Sequence, residues 1–145
     1  ALLKKVKEFN AEVGEEVRMT ESEIEMFTSL TSSLSEPSSQ PQEEVLELIS
    51  KKLMNWPKDK VLPVLDVVRT LAMKKEVVSQ WSTKAMAAYS MAYAQPGGVT
   101  PEAIATAQSN DMVLKVLMAA SCTGDGPKPS PPTVFMAQRA MCNLF

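Results

Sequence analysis

The stretch PKDKVLPVLDVVRTLAMKKEVVSQW, residues 57–81, has the apolar spacing of a buried helix. One apolar stripe recurs at steps of three and four residues, and it comprises Val61, Leu65, Val68 and Ala72. A second apolar flank comprises Leu62, Val64, Val67 and Leu71. This pattern predicts a helix that is apolar around most of its circumference, as expected at the centre of a helical core.

Arg69 is the charge that stands out on this predicted helix, because it follows the apolar run VLDVV. Asp66 lies three residues earlier, at a spacing that allows an ion pair within one helix. A guanidinium in such surroundings either pairs with that carboxylate or is held ready for an acidic partner. The residues alone leave both interpretations open.

The rest of the chain shows helical periodicity and helix-start signals. Thr20 followed by Glu23 has the spacing of a capping box, and Thr100-Pro101 places a cap before a proline at the first helical position. The turn-forming residues 35–41 and the Gly/Pro-rich residues 122–132 are predicted loops. Helices are predicted over residues 2–13, 20–35, 43–56, 63–73, 76–82, 84–94, 101–108, 111–120 and from residue 132 onward.

No segment alternates with a period of two for long enough to indicate a strand, so the fold class is predicted to be all-α. Eight or nine helices joined by short loops indicate a helical-repeat superhelix of the armadillo or HEAT kind. The length of 145 residues is that of one domain. Because the chain begins and ends within apolar helical patterns, we expect residues 1–145 to be a single repeat domain truncated at its C-terminus.

Composition excludes several classes of function. The chain has no histidine and two cysteines, Cys122 and Cys142, without a CxxC motif, so Cys/His metal sites and His-dependent catalysis are excluded. Cys142 lies in an apolar helical pattern and is predicted to be buried. The net charge of −2 is unlike that of a nucleic-acid-binding domain. The apolar run near residue 115 is too short to span a membrane, and reduced thiols are expected in the cytosol or nucleus.

Charge is distributed unevenly along the chain. Residues 1–50 carry four basic and eleven acidic side chains, whereas residues 51–145 carry eleven basic and six acidic ones. An excess of positive charge in the second part suits an acidic peptide, although it is also typical of an ordinary solvated surface.

Two motifs resemble a known family. The segment PKDKVLPVLDVVR (57–69) and the ending RAMCNLF (139–145) are similar to the PUL domain of the phospholipase-activating protein (PLAA) family, and the N-terminal ALLKKVKEFN and MTESEIEMF segments agree loosely. The resemblance implies the first half, or slightly more, of an armadillo-like superhelix. The stretch 95–109 departs from it, because it is longer than the connection usual in the family.

The resemblance also implies a function and a site. It implies a non-enzymatic module without a cofactor, whose groove binds the acidic, tyrosine-containing C-terminal tail of the valosin-containing AAA+ ATPase. Such a module serves as an adaptor in ubiquitin homeostasis and protein degradation, with ubiquitin bound by other domains of the parent protein. Arg69 and Arg139 are the first candidates for the peptide site, and Lys58, Lys60 and Lys74 are expected to add attraction for an acidic tail.

Two alternatives remain open from the sequence. The first is a generic helical-repeat docking region fused to a thiol peptidase or a thioredoxin-like enzyme. The second is a methionine-lined helical bundle that carries an apolar small molecule, since the chain has 10 methionines. A closed internal cavity would favour the small-molecule carrier, whereas an open basic groove would favour peptide binding.

Overall fold

The computed structural model describes residues 1–123 and 125–145; Gly124, within the predicted loop 122–132, lies outside the described residues. The described residues form eight α-helices, no strand and two short 3-10 turns, at 15–17 and 53–55. The helices are α1 (Leu2–Glu12), α2 (Glu21–Ser33), α3 (Glu43–Lys51), α4 (Leu62–Leu71), α5 (Lys75–Tyr93), α6 (Pro101–Gln108), α7 (Met112–Ala120) and α8 (Pro131–Leu144). The prediction of an all-helical repeat fold is confirmed.

The predicted helix starts are present. The Thr20 hydroxyl accepts from the Glu23 N–H (3.3 Å), and the Glu23 carboxylate accepts from the Thr20 N–H (2.7 Å), which completes the capping box. Thr100 caps α6 in front of Pro101, and Asp111 caps α7. The cap bonds at these helix starts all join residues three apart in sequence, so they are visible in the sequence pattern.

Helix α5 corrects one prediction, because residues 75–93 form one continuous helix where two helices were predicted, over 76–82 and 84–94. The junction Ser82-Thr83-Lys84 contains neither glycine nor proline to break the helix. Across this junction, the Lys84 ammonium forms ion pairs with Glu43 (2.7 Å) and Glu47 (3.1 Å) of α3. Contacts with a distant segment therefore support the helix where its own periodicity is weak.

Helix α4 lies at the centre of the core. Six of its ten residues are buried, namely Pro63, Val64, Leu65, Val67, Val68 and Leu71. The helix packs most extensively on α8 and also contacts α1, while α8 packs on α7 as well. Because α1 and α8, from opposite ends of the chain, meet on α4, its burial connects the N-terminal and C-terminal parts of the domain.

Polar contacts fasten the first two helices to the core. The buried Asn10 amide donates to the Met19 carbonyl (3.1 Å) and accepts from the Met19 N–H (2.6 Å), which closes the 3-10 segment between α1 and α2. The Trp56 indole donates to the Val17 carbonyl (2.9 Å). The Lys52 ammonium donates to both carboxylate oxygens of Glu23 (2.9 and 2.7 Å). These bonds hold α2 and the residues before it against the end of α3.

Leu65→Ala is expected to destabilise the domain by about 2–5 kcal/mol, because Leu65 is fully buried on the central helix and truncation leaves a cavity. The matched control is Leu117→Ala, at a position that is 51% exposed, where a loss of about 0.5 kcal/mol or less is expected. Urea unfolding followed by circular dichroism measures both. Equal losses in the two variants would contradict the central position of α4.

The ion pair of Glu23 predicts a pH dependence of stability. Burial raises the pKa of Glu23, but the hydrogen bonds from Lys52 and the Thr20 N–H outweigh it, so the pKa lies below the ordinary value of 4.5. Its stabilising contribution is therefore present above about pH 4.5 and is lost as the pH falls through the lowered pKa. Glu23→Gln is expected to flatten the fall in unfolding free energy below that pH.

The control for this pH series is Glu25→Gln, which changes an exposed carboxyl on the same helix. Urea unfolding at several pH values is expected to give a slope unchanged from the parent protein in this control. A Glu23→Gln slope equal to that of the parent would show that the Lys52 pair contributes nothing.

Candidate functional site

Helix α4 leaves only a narrow stripe of its surface uncovered. This stripe runs at steps of three and four residues along the helix and comprises the partly exposed Leu62, Asp66, Arg69 and Thr70. It continues into Met73, whose side chain is 68% exposed just after the helix end. Since the other residues of α4 are buried, this stripe is where the central helix meets solvent.

Arg69 is paired within its own helix. Its Nε and Nη2 donate to Asp66 Oδ1, at 3.1 and 2.8 Å, and its side chain is 24% exposed. The intrahelical pair that the i, i+3 spacing allowed is therefore present. A pair of this kind contributes only about 0.2–0.5 kcal/mol, so it opposes an incoming carboxylate weakly.

Asn143 joins the carboxyl ends of α4 and α8. Its side-chain amide donates to the Arg69 carbonyl (3.0 Å), one of the last carbonyls of α4. Arg139 precedes Asn143 by four residues, so both side chains lie on the same side of α8. The helices also pack against each other, and the Asn143 bond brings the last turn of α8 to the last turn of α4.

Arg139 is exposed, and its guanidinium lies over the ring of Phe135, 5.9 Å from the ring centroid. It makes no ion pair within residues 1–123 and 125–145. Phe135 itself is 60% exposed. The sequence analysis did not single out this ring, although the spacing of four residues from Phe135 to Arg139 is a signal for such a pair.

Lys58 and Lys60 both make contacts within the domain. The Lys58 ammonium donates to the carbonyls of Ser121 (2.6 Å) and Thr123 (3.1 Å), just after the end of α7. The Lys60 ammonium pairs with Glu12 at the end of α1. Both lysines therefore connect the segment before α4 to other helices.

Lys74 has a similar position at the other end of α4. Its ammonium donates to the carbonyls of Glu36 (2.9 Å) and Ser39 (2.8 Å), which fixes the loop between α2 and α3. We call the exposed stripe of α4 together with the outer side of α8 the α4/α8 face; Arg69 lies on the first and Arg139 on the second. Lys58, Lys60 and Lys74 lie in sequence around both ends of α4. Their roles in peptide binding stay predictions.

The prediction that Cys142 is buried is wrong. Its side chain is exposed, as is that of Cys122. Helix α8 buries the side that carries Thr133, Ala137 and Ala140, and Cys142 follows Arg139 by three residues on the outer side. The apolar residues next to Cys142 include Met141 and Leu144, and these two side chains, unlike that of Cys142, pack against the core.

The pockets on the described surface are open grooves. Five pockets, lined by residues between 22 and 144, all open to solvent. None of these five is the closed apolar cavity that a small-molecule carrier requires. Among the described residues, no helix has the length and apolar character needed to span a membrane. Within the same residues, no group of three or more Cys, Asp or Glu side chains has a geometry that could hold a metal ion.

An all-helical repeat fold is typical of protein-interaction domains, because stacked helices build an extended binding surface. The family model of the PUL domain matches residues 1–145, the whole chain. The chain therefore belongs to the PUL domain family, whose members are protein-interaction domains. A search of curated proteins finds no significant match.

Cysteine reactivity tests the placement of α8. Cys122 and Cys142 are expected to react with a maleimide at similar rates in the folded protein, because both side chains are exposed. Mass spectrometry of the peptides from each cysteine measures the two rates. Labelling of Cys142 only after addition of urea would contradict the outward position of this side of α8.

Proposed function

We propose that this PUL domain binds the acidic, tyrosine-containing C-terminal tail of the valosin-containing AAA+ ATPase on the α4/α8 face. The observation that supports the proposal is that Asn143, one helical turn after Arg139, donates to the Arg69 carbonyl and brings the ends of α4 and α8 together. Membership of a protein-interaction family supports the class of function. In this role the domain is a non-enzymatic adaptor in ubiquitin-dependent protein degradation.

The two arginines suit a peptide that carries carboxylates. Arg139 makes no ion pair with a described residue, and a guanidinium can bind a carboxylate through two parallel N–H bonds. The Nη1 group of Arg69 makes no hydrogen bond to the described part of the chain, since Asp66 accepts from Nε and Nη2 only. A peptide carboxylate can therefore reach Arg69 without breaking its pair with Asp66.

The surroundings of the arginines suit an aromatic anchor. Phe135 and Met73 are 60% and 68% exposed; Phe135 lies under the Arg139 guanidinium, and Met73 follows the end of α4. A tyrosine ring packs well on such side chains while its hydroxyl remains in water. The tail would thus contribute carboxylates to the arginines and its ring to the apolar neighbours.

The lysines around α4 act in this proposal through long-range attraction. Lys58 and Lys74 donate only to backbone carbonyls, so they raise the local positive potential without contacting the tail, whereas the Glu12 pair reduces the contribution of Lys60. Such attraction speeds association and weakens with salt. The adaptor is proposed to act in the cytosol or nucleus, with ubiquitin bound by other domains of the parent protein.

Titration of a fluorescent peptide with the C-terminal sequence of the ATPase tests the proposal. Arg69→Ala and Arg139→Ala are each expected to weaken binding by about tenfold, and moderate salt is expected to weaken binding to the parent domain. The peptide is also expected to slow maleimide labelling of Cys142, three residues from Arg139, without slowing that of Cys122.

The matched control is Lys128→Gln, which removes one positive charge from an exposed position before α8. It is expected to change the affinity little, because screening by salt makes a single distant charge weak. Binding that is equally strong in the parent and in both arginine variants would exclude the α4/α8 face. Absence of binding to the parent domain would refute the proposal for this chain.

A further inference from the structure

Near the amino end of α4, away from the α4/α8 face, a groove lies between the residues that follow α3 and helices α6 and α7. It encloses about 430 Å³ and opens to solvent. Its lining combines apolar side chains with two lysines, Lys58 and Lys115. The apolar part comprises Met54, Trp56, Leu114 and Met118, together with two alanines. We call it the lysine groove.

Lys115 is unusual because it is only 9% exposed and has no carboxylate partner in the described chain. Its ammonium donates to the carbonyl of Ser50 and to Asn55 Oδ1 (3.3 Å), both neutral acceptors. Buried lysines are rare unless they are paired, because desolvation disfavours the charge. The positive charge of Lys115 is therefore bound by dipoles but not neutralised.

Lys58 is a second cation that bonds only to neutral acceptors. Its ammonium donates to two carbonyls, those of Ser121 and Thr123, and it also makes no ion pair with a described residue. An ammonium has three N–H donors, so each lysine retains one beyond the two bonds described here. No aspartate or glutamate is among the residues that line the groove.

The direction of the pKa shift of Lys115 agrees with a buried ammonium that lacks a carboxylate partner. Burial lowers the pKa of Lys115, since the charged form is removed from water without a negative partner. A carboxylate bound beside the ammonium would favour the charged form and raise the pKa again. A bound anion would therefore interact favourably with the Lys115 charge, which a neutral ligand would not do.

We propose that the lysine groove binds an acidic segment of a partner protein, with a carboxylate between Lys58 and Lys115 and an adjoining aliphatic side chain over Met54 and Met118. The proposal goes beyond the α4/α8 face, because it uses residues before α4 and on α7. The apolar half of the lining favours a peptide over a free anion. The net charge of −2 opposes binding of a nucleic acid.

Methionine-methyl NMR is the experiment that tests this site. The probe is the acetylated peptide Gly-Asp-Leu-Glu-Leu-Asp-Gly, and its control is the amide version Gly-Asn-Leu-Gln-Leu-Asn-Gly. The acidic peptide is expected to shift the Met54 and Met118 methyl signals saturably, whereas the amide version is expected to bind at least about tenfold more weakly. Equal shifts with both peptides, or no shift of either signal, would overturn the proposal.

Variants separate this site from the α4/α8 face. Lys115→Met and Met118→Glu are each expected to weaken the shift of Met54 by about tenfold, the first by removing the cation and the second by placing a carboxylate at the groove rim. Met118 is 55% exposed, so Met118→Glu keeps the test valid if Lys115→Met does not fold. Arg139→Ala is the control and is expected to leave the Met54 shift intact.

The site of the response decides between the two faces. Shifts confined to Met73, beside the exposed stripe of α4, would assign the acidic peptide to the α4/α8 face and overturn the lysine groove. Loss of the Met54 shift in Arg139→Ala, with no loss in Met118→Glu, would also overturn the lysine groove. Loss in the groove variants alone would support the proposal, whatever the ATPase tail does at Arg69.

Discussion

The burial of α4 is the constraint on which the rest of the structure depends. This helix is covered by α1 and α8 and turns six of its ten side chains into the core. A helix so enclosed has only a narrow stripe on which polar side chains remain hydrated, and Asp66, Arg69 and Thr70 occupy it. The position of Arg69 therefore follows from packing: its guanidinium lies at the surface because the other sides of α4 are occupied by apolar neighbours.

Local sequence signals predicted the helices well where they act over a few residues. The Thr20 capping box, the Pro101 start and the apolar periodicity of α4 each depend on neighbours within about one helical turn. The continuity of α5 and the exposure of Cys142 depend on distant contacts, which periodicity does not contain. Lys84 bonds to α3, and α8 lies between α4 and α7, so the tertiary neighbours decide which side of each helix is covered.

The contacts made by the candidate site residues with distant segments could not be predicted for the same reason. Sequence analysis named Arg69 and Arg139 through a resemblance, but it could not show that Asn143 aligns the two helices that carry them. It also could not show that Lys58 reaches Ser121, 63 residues further along the chain. A lysine near the end of a helix in space binds its unpaired carbonyls, and this interaction is invisible when the two segments are far apart in sequence. Lys115, which bonds to the end of α3, is the strongest example.

For these lysines, a contact within the domain and the proposed binding role are compatible. A carbonyl oxygen neutralises no charge, so a lysine bound only to carbonyls keeps its attraction for an anion. Lys60, which pairs with Glu12, differs from Lys58 and Lys115 in this respect, because its charge is already compensated. The same distinction separates Arg69, which shares Asp66, from Arg139, which stacks on a ring. The number of positive charges alone therefore does not distinguish the cations of this domain; the chemistry of each cation's existing partner does.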